Sequence, residues 1–228
     1  MPPSSARLPH AVLFDLDGTL VDTFRLYVEC YRRALAPYLS RVPDEAEIVA
    51  RRPASERRFL ADWIGERYAE DCHAAMLRHY AALHASLGEG EYDGVREMLA
   101  ALRSAGIPLG IVTGKSRAAW EVTEAALGLG PFAAVVTDDD VAAPKPDPQG
   151  ILLALGEMGV DPSRAVYVGD GLGDLRAGRD AGTRVAAALW PKTGEGEADA
   201  FAEEIRPLAP DWTFARPADV TRAFAPWC

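Results

Sequence analysis

Cysteine is scarce in this chain of 228 residues: Cys30, Cys72 and Cys228 are the whole complement. They are odd in number, far apart and in no metal-type spacing, which excludes a disulfide framework and a cysteine zinc site. Free thiols in a reducing cytoplasm are the expectation. The four histidines, His10, His73, His79 and His84, show no zinc-ligand spacing on a shared loop. No apolar run is long enough to span a bilayer. The stretch Met1 to His10 has one Arg, no long apolar segment and no small-residue cleavage pattern, so a secretory leader is not expected. Positive charge is also short, with 24 Lys and Arg against 34 Asp and Glu, a net charge of −10. That balance argues against nucleic acid or an anionic membrane as partner. It does not exclude a small anionic substrate, because one metal ion and a few local bases set the potential inside a site. Internal repeats and low-complexity segments are absent too.

What remains is 49% hydrophobic and 25% charged, the balance of a globular protein able to bury a full core in one or two domains. Its organising stretch is Asp15-Leu16-Asp17-Gly18-Thr19-Leu20, which directly follows the apolar run Ala11-Val12-Leu13-Phe14. A buried run that gives way to two carboxylates and a glycine reads as a strand ending in an active-site loop. In open α/β sheets ligands bind just beyond the carboxyl ends of the strands.

After Asp22 the texture changes. Residues 23–88 are rich in Ala, Leu, Arg and Glu, with apolar residues at helical spacing such as Leu26, Cys30, Ala34 and Leu35. Pro37, Pro43 and Pro53 punctuate the segment, and Phe59, Trp63 and Leu77 supply bulk for buried faces. No alternating strand pattern occurs there, so a bundle of about four helices is expected. Gly88-Glu89-Gly90 reads as a hinge. Helices are then predicted over 95–105, 116–127, 147–158 and 172–181, with strands over 107–112, 132–136, 165–168 and 184–188. Residues 192–200 read as a polar loop, and Trp212, Phe214 and Trp227 as residues packed on the sheet edge. Strands alternating with helices predict a doubly wound parallel sheet, a Rossmann-like α/β core formed by 1–21 and 89–228. Residues 22–88 then form an inserted α-helical cap domain.

Each later strand ends in something reactive. Asp15 and Asp17, two residues apart, can face one space, and crowded carboxylates favour a hard cation with oxygen ligands, Mg2+ above all. Thr113-Gly114-Lys115 offers a hydroxyl and backbone N–H groups to phosphate oxygens, or a plain helix N-cap. Lys145, stiffened by Pro144, Pro146 and Pro148, is either a charge-neutralising ammonium or a surface lysine beside a proline turn. Gly169-Asp170-Gly171-Leu172-Gly173-Asp174 is a second acidic strand end, in which Asp174 can serve a ligand or cap the next helix.

The combination, Asp-x-Asp-Gly-Thr, then Thr, then Lys, then Gly-Asp-x-x-x-Asp, in this order and each at a strand end, resembles the four signatures of the haloacid dehalogenase superfamily. The likeness is to its phosphatase branch with a helical cap, the phosphoglycolate phosphatase-like group. The resemblance implies a Mg2+-dependent phosphatase working on a small phosphorylated metabolite through an aspartyl-phosphate. Asp15 would be the nucleophile and Asp17 the general acid and base. Thr113, Gly114 and Lys145 would hold the transferring phosphate. Asp15, the carbonyl of Asp17, Asp170 and Asp174 would hold the metal, with Asp174 as direct ligand or as an orienter of Lys145. Gly171 and Gly114 stand where many relatives carry hydrogen-bonding side chains, a sign of substrate tuning. The cap loop Arg51-Arg52-Pro53-Ala54-Ser55 would reach over the site. There Arg52 or Arg51 can clamp a second anionic group, or, with Arg57 and Arg58, form a solvated face pairing with glutamates. Asp138-Asp139-Asp140 reads as solvent-facing or lysine-orienting. A phosphomutase of the β-phosphoglucomutase type and an inorganic pyrophosphatase are the rival chemistries. A phospho-accepting signalling domain and a silent scaffold are the rivals outside this chemistry. A monomer or homodimer is expected.

Overall fold

The computed structural model describes residues 8–51, 55–88 and 90–226. Strand β1 (Ala11–Phe14) is fully buried along its length. An unbroken apolar run of this kind has to be covered on both faces, as in parallel sheets. The chain then forms the short β2 (Val21–Asp22) and four helices, α1 (Phe24–Leu39), α2 (Glu45–Ala50), α3 (Glu56–Ile64) and α4 (Glu66–Leu87). It returns through β3 (Gly90–Glu91), which pairs antiparallel with β2. The βα alternation follows: α5 (Val95–Ser104), β4 (Leu109–Val112), α6 (Arg117–Leu127), β5 (Ala134–Val136), α7 (Gln149–Met158), β6 (Ala165–Gly169), α8 (Leu172–Asp180) and β7 (Arg184–Ala188). The chain closes with α9 (Glu197–Ile205), β8 (Trp212–Phe214) and α10 (Pro217–Phe224).

Six strands make one parallel sheet in the order β5-β4-β1-β6-β7-β8. Side chains alternate across β1, and the two faces are covered separately. Val12 and Phe14 pack with Val95, Met98 and Leu102 of α5 and with Val220 and Phe224 of α10. Ala11 and Leu13 pack with Ile151 and Leu155 of α7 and Ala177 of α8. This is the doubly wound α/β core with helices on both faces that the alternation predicts, and β1 sits between β4 and β6 at its centre.

The four helices between β2 and β3 bury a core of their own. Leu26, Cys30, Ala34 and Leu35 of α1, the residues picked out by helical spacing, are all buried against Phe59, Leu60, Met76 and Tyr80. Trp63 and Leu77 lie partly buried at its margin. Entry and exit of this layer are adjacent, with Val21 opposite Glu91 and Asp22 opposite Gly90. No helix among the described residues is long and apolar enough to cross a membrane.

One local reading is corrected. Residues 192–200 are not loop throughout: Gly196, at φ 75°, releases the chain into α9, whose first turn carries Glu197 and Asp199. Glu197 reaches back to accept from the Gly194 amide at 2.9 Å, and acidic side chains there suit the helix dipole. Asp138–Asp140 form a 3-10 turn beside the N-terminus of α3. Ser55 donates to Asp138 at 2.7 Å, Arg57 pairs with Asp139, and Arg58 donates to the Ala142 carbonyl at 2.7 Å. Asp139 and Asp140 are exposed, as the solvent-facing reading has it, and Asp140 pairs with Arg117 of α6, while half-buried Asp138 is held by Ser55. On the edge, Trp212 and Phe214 do pack, against Phe224; Trp227 and the hinge residue Glu89 lie outside the described residues.

Candidate active site

The site grows out of the end of β1. The Asp15 amide donates to the Val168 carbonyl at 2.9 Å and continues the β1–β6 ladder one rung beyond the strand. Leu16, fully buried, points the other way, and the backbone then turns sharply, with Thr19, Leu20 and Val21 all donating to the Leu16 carbonyl. Gly18 is required in this turn. Its φ is 79°, and a Cβ there would lie 2.8 Å from the Asp170 carboxylate. The neighbouring strand end is built as tightly: a Cβ on Gly169 would stand 2.4 Å from that of Asp174.

Carboxylate oxygens of Asp15, Asp170 and Asp174 all lie within 4.8 Å of one another. Each is held by a polar neighbour. Lys145 reaches Oδ1 of Asp15 at 2.8 Å and Oδ1 of Asp174 at 2.6 Å, and also donates to the Val112 carbonyl at 3.3 Å and the Tyr167 hydroxyl at 3.2 Å. Asp174 Oδ2 accepts from the Gly171 amide at 2.9 Å, so this residue caps α8 and orients Lys145 at once. Asp170 accepts from Thr19 Oγ1 at 3.1 Å and pairs with Lys192 at 2.7 Å. Trp190, two residues before Lys192, donates its indole N–H to the Thr19 carbonyl at 2.8 Å and fixes that loop over the strand ends.

This crowding is legible in the electrostatics. Burial pushes the Asp15 carboxyl up, Lys145 pulls it back, and the Asp174 and Asp170 carboxylates push again, for a balance of about 8. Asp170 is raised as well, chiefly by burial. Lys145 is held well above the usual amine range by Asp15 and Asp174 in spite of its burial. Asp15 and Asp170, which resist ionising, form with Asp174 a set of hard-oxygen donors suited to a divalent cation such as Mg2+.

The Asp17 carboxylate stands apart from that group. Its Oδ1 accepts from Thr23 Oγ1 at 2.5 Å and pairs with Lys115 Nζ at 2.9 Å. Sequence reasoning took Lys115 only as part of the Thr-Gly-Lys turn and missed it as a site residue; its signal was a lysine directly following a strand-end glycine. Tyr167 and Lys192 were also missed. The one is a hydroxyl inside an otherwise apolar strand, and the other sits in a stretch that reads as polar loop.

Thr113 and Gly114 lie at the end of β4 and line a cleft with Lys145 and Pro144. The N-cap of α6 is Ser116, which accepts from the Ala119 amide at 3.4 Å, and not Thr113. Thr113 Oγ1 instead accepts from the Lys115 amide at 3.2 Å. Arg52 lies outside the described residues. Its neighbour Arg51 stacks on Trp63, with the guanidinium 3.9 Å from the ring centre, and donates to the Asp62 carbonyl at 3.3 Å. Arg57 does meet a glutamate, Glu70 at 3.3 Å, as the solvated-face reading has it, while also reaching Asp139. His73 and His84 are buried, and His73 pairs with buried Glu56 at 2.7 Å.

The chain resembles known proteins along most of its length. Residues 12–188 match the family model described as haloacid dehalogenase-like hydrolase. The chain is 35% identical to pyrophosphatase PpaX of Bacillus velezensis over 92% of this chain and 94% of the relative. It is 37% identical to the plasmid phosphoglycolate phosphatase of Cupriavidus necator, over 90% and 94% of the two chains. Among solved structures, CbbY from Rhodobacter sphaeroides in complex with phosphate aligns with TM-score 0.75 and 27% identity, covering 93% of this chain and 96% of that one. The chain belongs to the haloacid dehalogenase-like hydrolases, in their phosphoglycolate phosphatase-like branch.

Proposed function

We propose that this chain is a Mg2+-dependent phosphatase that hydrolyses a small phosphorylated metabolite through an aspartyl-phosphate on Asp15, with residues 22–88 as the cap over the site. The observation that carries this reading is the convergence of Asp15, Asp170 and Asp174 around a single lysine, Lys145, at the carboxyl end of the sheet.

Lys145 occupies one oxygen of Asp15, which leaves the other to attack phosphorus. The same ammonium, together with Thr113 Oγ1 and the Gly114 backbone, neutralises and grips the transferring phosphoryl group. Asp174 keeps Lys145 aimed. Asp15, the main-chain carbonyl of Asp17, Asp170 and Asp174 are the groups that would hold Mg2+, which when bound supplies charge neutralisation for the phosphoryl oxygens. Asp17 gives a proton to the leaving oxygen and then takes one from the attacking water, a contribution of roughly 10²–10⁴ in rate.

A second reading, inorganic pyrophosphatase, draws on the likeness to PpaX across 92% of the chain. Release of phosphate from p-nitrophenyl phosphate with Mg2+, compared between wild type and Asp15→Asn, tests the enzyme. Turnover by the wild type and none by the variant is expected; equal turnover by both sinks the reading. A screen headed by phosphoglycolate, pyrophosphate and small sugar phosphates then separates the two substrates.

A further inference from the structure

Lys115 is the most thoroughly enclosed cation of the described chain: its side chain has 0% exposure. Burying an ammonium is costly unless an anion and hydrogen bonds compensate it. Its carboxylate partner among the described residues is Asp17, at 2.9 Å. The remaining contacts are neutral. Tyr80 Oη of α4 lies at 2.6 Å and Thr123 Oγ1 of α6 at 3.1 Å. The ring faces of Tyr27 in α1 and Tyr80 lie 5.1 and 4.7 Å from the charge, at cation–π range. The charge is thus balanced by one group, and that group is the proton-handling residue of the reading above. Both contacts to Asp17, from Lys115 and from Thr23, fall on the same oxygen, Oδ1.

From this geometry we infer that Lys115 is a positioning residue for Asp17: it pins Oδ1, leaves Oδ2 to handle the proton, and makes that placement depend on the cap helices α1 and α4 being seated. The inference rests on the proposed roles of Asp15 and Asp17. In the first half-reaction Oδ2–H passes its proton to the ester oxygen while the bond from phosphorus to that oxygen breaks and the bond to Asp15 forms. In the second, Oδ2 takes a proton from the water that attacks phosphorus, and Asp15 departs as carboxylate. The sum is ester plus water to alcohol plus phosphate, with no change of oxidation state. Lys115 acts through Asp17 Oδ1 and takes part in none of the bonds made or broken. Without it, the Asp17 carboxyl can rotate about χ1 and χ2 on the single anchor of Thr23.

A leaving-group comparison separates this role from mere packing. Expulsion of an alkoxide needs the proton from Asp17, whereas p-nitrophenolate leaves unaided. The test measures kcat/KM, which reports the steps through phosphoryl transfer to Asp15 and not the hydrolysis shared by both esters, for Lys115→Met and Lys115→Arg with phosphoglycolate and with p-nitrophenyl phosphate, beside Asp17→Asn. The expected result is a loss of about 10²-fold for Lys115→Met on the alkyl ester and of about threefold or less on the aryl ester. Asp17→Asn shows the same skew, and Lys115→Arg recovers part of the alkyl activity. Equal losses on both esters overturn the inference. Should Lys115→Met fail to fold, Tyr80→Phe, which removes the hydroxyl's hydrogen bonds to Lys115 and Thr123 and no charge, carries the same comparison: a skew supports the inference and equal losses overturn it. Asp15→Asn runs as the separate control. If that variant still turns over, the underlying reading has failed; if it is dead while Lys115→Met loses both activities alike, only the role of Lys115 has failed.

Discussion

At the scale of single residues, the site is built from crowded carboxylates that repel one another. Asp15 is raised to about 8 from an ordinary value of 3.8, so the folded, metal-free chain takes up a proton that the unfolded chain releases. The stabilising contribution of such a group is fully present below about pH 4 and is lost as pH rises through about 8. Metal-free protein is therefore expected to melt at lower temperature at pH 8 than at pH 6 on account of this group. Mg2+ should raise the melting temperature more at pH 8, and Asp15→Asn should flatten both trends. A wild-type profile indistinguishable from that of the variant would contradict the crowding argument. Lys145 belongs to the same cluster, and Lys145→Met should lower kcat by about 10²–10³-fold with the fold intact by circular dichroism. Asp15 and Asp170 were legible in the sequence because each stands at the end of an apolar run, and Lys145 because prolines frame it. Lys115, Lys192 and Tyr167 were not, because their partners Asp17, Asp170 and Asp174 come from other segments, and only tertiary contact pairs them.

At the scale of elements, the sequence marks strands by runs of Val, Leu, Ile and Ala, and helix ends by glycine, as Gly128 at φ 60° closes α6. It marks contacts between elements poorly. The seat of α3 on the turn after β5, through Ser55–Asp138, Arg57–Asp139 and Arg58 to Ala142, links residues more than 80 positions apart. The exposed Arg57–Asp139 ion pair is worth about 0.2–1 kcal/mol. Arg57→Ala should accordingly change global stability by less than about 1 kcal/mol, yet speed amide exchange in α3 and raise KM; unchanged exchange there would remove these contacts from the closing of the cap. The buried interior of the cap behaves differently. Glu56 is held below the usual carboxylate range, against its own burial, by hydrogen bonds from His73 and from Tyr27 at 2.5 Å. Removing one member of a buried polar pair strands the other, so Glu56→Ala should cost about 3–5 kcal/mol in urea unfolding. A cost under about 1 kcal/mol would show that the pair is not needed to seat α3 on α4.

At the scale of the whole molecule, the sheet fixes Asp15, Thr113 and Asp170 at adjacent strand ends, while the helical layer brings Tyr27 and Tyr80 onto the lysine that holds Asp17. The alternation of apolar runs with helical segments was enough to read the α/β core and its helical insertion. The order of the strands was not readable, because register and neighbour choice depend on packing of both sheet faces at once. The central claim is that Asp15 takes the phosphoryl group, and chemical trapping tests it most directly. Wild-type enzyme turning over substrate with Mg2+ is quenched, treated with borohydride and read by peptide mass. Reduction of an acyl phosphate at position 15 would yield homoserine there, the predicted result. An unmodified aspartate at position 15, found while phosphate is being released, would contradict it.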